Sequence, residues 1–143
     1  MNTVRLGCLF RLLSGRREKR VFADLRALSA YLGARPPTTH VEQLRVLFLD
    51  RSNGLLSDEV LAFGTRSDVI ICPRAIMTRA LELRARGLIL VHNHPSGDAR
   101  PSRADVEATR HLVDAARLLG IIVHDHIIVA GSLWSSFRVL GLL

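Results

Sequence analysis

An α/β domain, a mixed β-sheet flanked by helices, is the fold class this 143-residue chain predicts. Three observations lead there. Apolar residues make up 48% of the chain, which suits a packed single domain and argues against disorder. Apolar runs of strand length alternate with segments of helical spacing. Turn signals join neighbouring strands near both ends of the order, so hairpins accompany helical crossovers and the sheet is mixed.

The elements follow in order. Residues 1–40 read as an N-terminal extension with one short helix, and residues 41–143 as the main domain. Phe22, Leu25, Leu28 and Leu32 share a helical face, and Gly33 stops the helix. Pro36-Pro37 makes the next stretch a connector. Glu42 to Asp50, EQLRVLFLD, suits a strand buried on both faces. Ser52-Asn53-Gly54 turns the chain into a second strand, Leu55 to Phe63. A short strand, Asp68 to Cys72, precedes a helix from Arg74 to Ala85, with Pro73 at its first position and Gly87 past its end. Leu88 to Val91 is a strand running into His92. Ser102 to Leu119 is helical, with Val106, Val113, Ala116 and Leu119 near one face and Gly120 as the stop. Ile121 to Ala130 and Leu133 to Leu140 are the last strands, joined at Gly131-Ser132.

Composition narrows the function classes. Two cysteines, Cys8 and Cys72, form no CxxC pair and no disulfide framework, so a reducing, cytoplasmic setting is expected. Cys72 reads as a small core residue. No apolar run approaches the ~20 residues of a membrane span. The net charge of +7 permits nucleic-acid contact, but arginines are spread along the chain and the densest cluster, residues 16–20, contains Glu18.

The chemistry concentrates in residues 92–105, HNHPSGDARPSRAD. On a strand His92 and His94 point to one side and Asn93 away from it. Ser102 and Asp105 lie three apart in a first helical turn. If that turn folds back to the strand end, two imidazoles and a carboxylate converge, leaving a fourth position of a tetrahedral zinc open, as in catalytic sites. The competing reading is an ordinary capped helix, because Ser102 and Asp105 have capping-box spacing. Together the two histidines and the first-turn aspartate favour the metal. A base is also needed, and Glu42 stands out among the carboxylates because it opens an otherwise apolar strand. Asp98 lacks a fixed direction. His124-Asp125-His126 is a second HxH without a carboxylate at helpful spacing; Asp125 could orient a metal-bound histidine. His111 reads as exposed, and Trp134 and Phe137 as packing residues of the last strand.

The pattern resembles the JAMM (MPN) metallopeptidase superfamily and, more narrowly, its RadC branch. A glutamate lies far upstream; His92-Asn93-His94 is followed by seven residues, Ser102, two residues and Asp105. Leu47-Phe48-Leu49-Asp50, Asp125-His126-Ile127-Ile128 and Ser136-Phe137 extend the likeness over roughly residues 40 to 140. The resemblance implies an MPN/JAMM-like, cytidine-deaminase-like domain with one Zn2+ per chain held by His92, His94 and Asp105. It implies that Glu42 takes a proton from the attacking water and passes it to the leaving amine, and that Ser102 steadies the oxyanion. The implied partner is a protein or peptide cut at an amide bond, with isopeptidases as precedent. Two departures stand out: Gln43-Leu44 follows Glu42 where a histidine and an aromatic are usual, and no helix-hairpin-helix glycine pattern precedes it. The alternative expectation is a non-catalytic, DNA-repair-associated binding module with a structural metal loop and a basic surface.

Overall fold

The computed structural model describes residues 24–36, 40–64 and 69–143. In chain order it contains α1 (Leu25–Gly33), β1 (Gln43–Leu49), β2 (Leu55–Phe63), α2 (Pro73–Glu82), β3 (Gly87–Asn93), α3 (Arg103–Leu118), β4 (Ile122–Ala130) and β5 (Leu133–Ser136). The five strands form one mixed sheet in the order β2-β1-β3-β4-β5. Only β3 and β4 are parallel, and α3 makes the crossover between them. The other neighbours are antiparallel.

The sheet is apolar on both faces, which is why β1 and β3 read as nearly continuous apolar runs. Leu44, Val46, Phe48, Leu88 and Leu90 pack with Ile76, Ala80, Leu112 and Ala116 of α2 and α3. The alternate side chains Leu47, Leu49, Ile89, Val91 and Ile127 pack with Leu28, Tyr31 and Leu32 of α1. Helix α1 therefore belongs to the same core as the sheet, although the sequence division places it in the N-terminal extension. All seven residues of β3 are buried.

Several expected elements differ in detail. Phe22 lies outside the described residues, and α1 starts at Leu25 behind an Asp24 cap. Residues 69–72 are not a strand, and Cys72 is exposed rather than core. Helix α2 ends early because Arg84 takes a left-handed conformation, φ 54°. The buried face of α3 is Asp105, Thr109, Leu112 and Ala116; Leu119 is exposed, so the expected face is rotated by about one residue. Strand β5 stops at Ser136 because Asp125 accepts hydrogen bonds from the Arg138 amide (3.1 Å) and the Ser136 hydroxyl (2.5 Å), bending residues 137–140 into a turn.

Candidate metal centre

Strand pairing assembles the site. β1 runs antiparallel to β3 in a register that sets Leu44 opposite His92, so Glu42, just before β1, arrives beside the end of β3. His92 is near the end of β3 and His94 just beyond it. Asp105 comes from the first turn of α3, which starts next to the same strand ends. Ligands collect at such carboxyl ends of parallel strands because loops diverge there.

Glu42 Oε2 lies 3.2 Å from His92 Nε2. Asp105 Oδ1 lies 3.1 Å from His92 Nδ1, and Asp105 Oδ2 3.3 Å from His94 Nε2. Ligand atoms of Glu42, His92 and His94 all fall within 4.8 Å of one another. The setting is dry: Glu42, His92 and Asp105 are 6%, 1% and 5% exposed. Two buried carboxylates need positive charge, since uncompensated burial costs several kcal/mol per ion. Among the described residues, the ion pairs reaching these two carboxylates come from imidazoles.

Hydrogen bonding fixes part of the proton inventory. His94 Nδ1 is 2.8 Å from the Asp98 carbonyl, which can only accept, so Nδ1 carries the proton. Neutral His94 then presents a bare Nε2 lone pair toward Asp105. His92 Nδ1 is buried without a hydrogen bond even though Asp105 is near. Lone pairs thus face carboxylate oxygens across gaps that require either extra protons or a cation. Proton gain is one solution: contact with Asp105 raises the His94 pKa against its burial. Burial opposes ionisation of Asp105, yet contacts from His92, His94 and Ser102 hold its carboxyl well below the usual range. A zinc ion is the other solution, and an N/O donor set with a carbonyl-oriented histidine suits it.

Asp105 is also a cap. Its Oδ2 accepts from the Ser102 amide at 2.7 Å, while Ser102 Oγ accepts from the Asp105 amide at 3.1 Å. The expected capping box is thus complete on the same residues that the metal expectation uses. Ser102 is exposed, and its hydroxyl proton remains free to donate within the box. The site opens onto a cleft of about 570 Å³ whose walls include Glu42, His94, Ser102 and Asp105.

The second HxH does something else. His126 is fully buried, stacked 4.4 Å from Phe137 and 5.9 Å from His92 between ring centroids. The Thr109 hydroxyl donates to the Asp105 carbonyl (2.6 Å), so His126 Nδ1 donates to Thr109 Oγ1 (2.7 Å). Burial pushes the His126 pKa down to about 3, keeping the ring neutral. His124 instead packs over Gly87, leaving no room for a Cβ there. Asp125 accepts from the Ser136 hydroxyl and the Arg138 amide, so the expected role of orienting a metal-bound histidine is replaced by a turn-holding one. Asp98 binds Arg100 and turns its backbone carbonyl, rather than its carboxylate, to His94. His111 is exposed, and Phe137 is buried in the turn after β5.

A family model described as a RadC-like JAB domain matches residues 22–142. The chain belongs to the RadC-like JAB domain family. A relative from Rhodobacter capsulatus, named only as a UPF0758 protein, is 46% identical over 126 residues. That alignment takes in 88% of this chain and 59% of the relative, so the chain spans about three-fifths of the relative's length. The mixed five-stranded sheet with its three helices is in keeping with a JAB domain. Among the described residues of this RadC-like domain, no helix is long and apolar enough to cross a membrane.

Proposed function

We propose that the chain is a zinc-dependent, metallopeptidase-like hydrolase that cleaves an amide bond, an isopeptide bond included, in a protein or peptide. The observation that carries this reading is the buried convergence of two imidazoles and two carboxylates beside an open cleft. His92, His94 and Asp105 would hold one zinc ion. Asp105 is placed in the ligand set because it touches both imidazoles, whereas the Glu42 ion pair is with His92. Bound zinc supplies Lewis acidity, which acidifies water and polarises a carbonyl.

Glu42 is then the proton carrier. It borders the cleft, takes a proton from the attacking water and returns it to the leaving amine. Ser102 accepts its cap bond through a lone pair and donates its hydroxyl proton to the carbonyl oxygen as that oxygen gains charge.

The test is turnover of lysine-linked isopeptides and fluorogenic peptides by zinc-loaded protein. Glu42→Gln should retain zinc and lose about 10²–10⁴-fold in rate. His92→Ala should lose both zinc and rate. Full activity in Glu42→Gln, with none in His92→Ala, would place the base elsewhere. The net charge of +7 is what supports the second reading, a non-catalytic, DNA-repair-associated module with a structural metal loop. Steeply salt-dependent DNA binding that is indifferent to Glu42→Gln is what that reading expects.

A further inference from the structure

The residue between the two histidines has a job of its own. The β1–β3 ladder ends at Leu44 opposite His92, whereas β3 goes on pairing with β4 through Asn93 opposite Val129. This divergence makes room for the site, but it also withdraws backbone partners from the segment that carries Glu42. Asn93 occupies the gap. Its side-chain oxygen accepts from the Gln43 amide at 2.7 Å, and its side-chain nitrogen donates to the Val41 carbonyl at 2.9 Å. The two bonds fall on either side of Glu42. On the other flank, the Gly64 amide, just past β2, donates to the Glu42 carbonyl at 2.8 Å and holds the same residue.

We infer that Asn93 is a positioning residue whose carboxamide clamps residues 41–43 and so sets the Glu42 carboxylate against the histidine pair. This rests on the metal reading above. The clamp needs one acceptor and one donor on one short stem. Aspartate keeps the acceptor but loses the donor, and it sets a negative oxygen against the Val41 carbonyl. Alanine loses both and leaves a half-buried amide and carbonyl without these partners.

Two measurements on the full chain test it. The first is hydrogen exchange of the Gln43 amide in metal-free protein, with the Leu47 amide in mid-strand as an internal control. In Asn93→Ala, Gln43 should lose at least about tenfold of its protection while Leu47 keeps its own. The isosteric Asn93→Asp, the variant to use if alanine does not fold, should fall between alanine and the native chain. Unchanged Gln43 protection in the variants overturns the clamp. The second is zinc affinity by chelator competition in a double-mutant cycle. Asn93→Ala should weaken zinc severalfold in the native background and less than twofold in Glu42→Gln, because its effect passes through the Glu42 charge, which attracts the cation without ligating it. Equal weakening in both backgrounds, or none in either, overturns the positioning role. If the native chain binds no zinc, the metal reading fails by itself, and Gln43 exchange alone then decides for or against the clamp.

Discussion

Asp105 concentrates the competing demands on this sequence at the scale of one residue. Its carboxylate caps α3 through the Ser102 amide and faces both His92 and His94. Ser102 shares the cap, which allows its two roles to be separated. Ser102→Ala should cost about 1 kcal/mol in stability through the lost cap, measured by urea unfolding. It should leave zinc content unchanged and cut hydrolysis about 10²–10³-fold through the lost oxyanion donor. A variant with normal turnover would leave Ser102 a cap alone. The positions of His92, His94 and Asp105 were legible because they are close in sequence and the strand and helix periods orient them. Glu42 was legible as a charge opening an apolar strand. Asn93 was read as merely pointing away, since its partners lie about fifty residues upstream and only the pairing of β1 with β3 brings them near. The contacts of Asp125 with Ser136 and Arg138 were hidden because only the pairing of β4 with β5 brings them near.

Between elements, a polar knot ties α1 to the β1–β2 hairpin. Asp58 on β2 receives the guanidinium of Arg45 on β1 and the hydroxyl of Tyr31 on α1 (2.5 Å). Arg45 also donates to the Arg35 carbonyl at 2.9 Å, just past α1. Burial alone would raise the Asp58 pKa, but the bonds from Arg45 and Tyr31 outweigh it and hold the carboxyl below its ordinary value. The native state therefore binds this proton less readily than the unfolded chain. The stability Asp58 contributes is complete above the unfolded value of about 4 and is lost as pH falls through the lower folded value. Asp58→Asn should therefore destabilise by about 2 kcal/mol at pH 7. Its deficit relative to the native chain should shrink in acid unfolding series. A deficit that stays constant to low pH would mean that Asp58 acts by packing. The strand expected at Asp68 to Cys72 is not formed at residues 69–72, whereas the observed strands and helices were legible from apolar runs and turn residues. Their ends were less so: α2 stops at a left-handed arginine and β5 at a side-chain contact, and neither leaves a local sequence signal.

For the whole molecule, the sheet order places the start of β1, the end of β3 and the start of α3 at one edge of the core. The fold brings the buried carboxylates and imidazoles together, so zinc should bind the native chain far better than the unfolded one. Free zinc at about a hundred times its dissociation constant then adds ~2.7 kcal/mol of stability. For a domain of this size the melting temperature should rise by about 5–10 °C and fall back when a chelator is added. Asp105→Ala should melt at one temperature with or without zinc. The same assembly explains how the mixed α/β class was readable while the direction of α3's buried face was not. A helix turned by one residue still shows amphipathic spacing, and here the site requires Asp105 and Thr109 to face inward.

The most direct measurement is elemental metal content of untagged protein, purified without chelators, beside Asp105→Ala. Near-stoichiometric zinc in the native chain, lost in a variant that remains folded, is the predicted result. Folded protein that holds no metal and refuses added zinc would contradict the account, and residues 92–105 would then be a capped helix start with paired histidines.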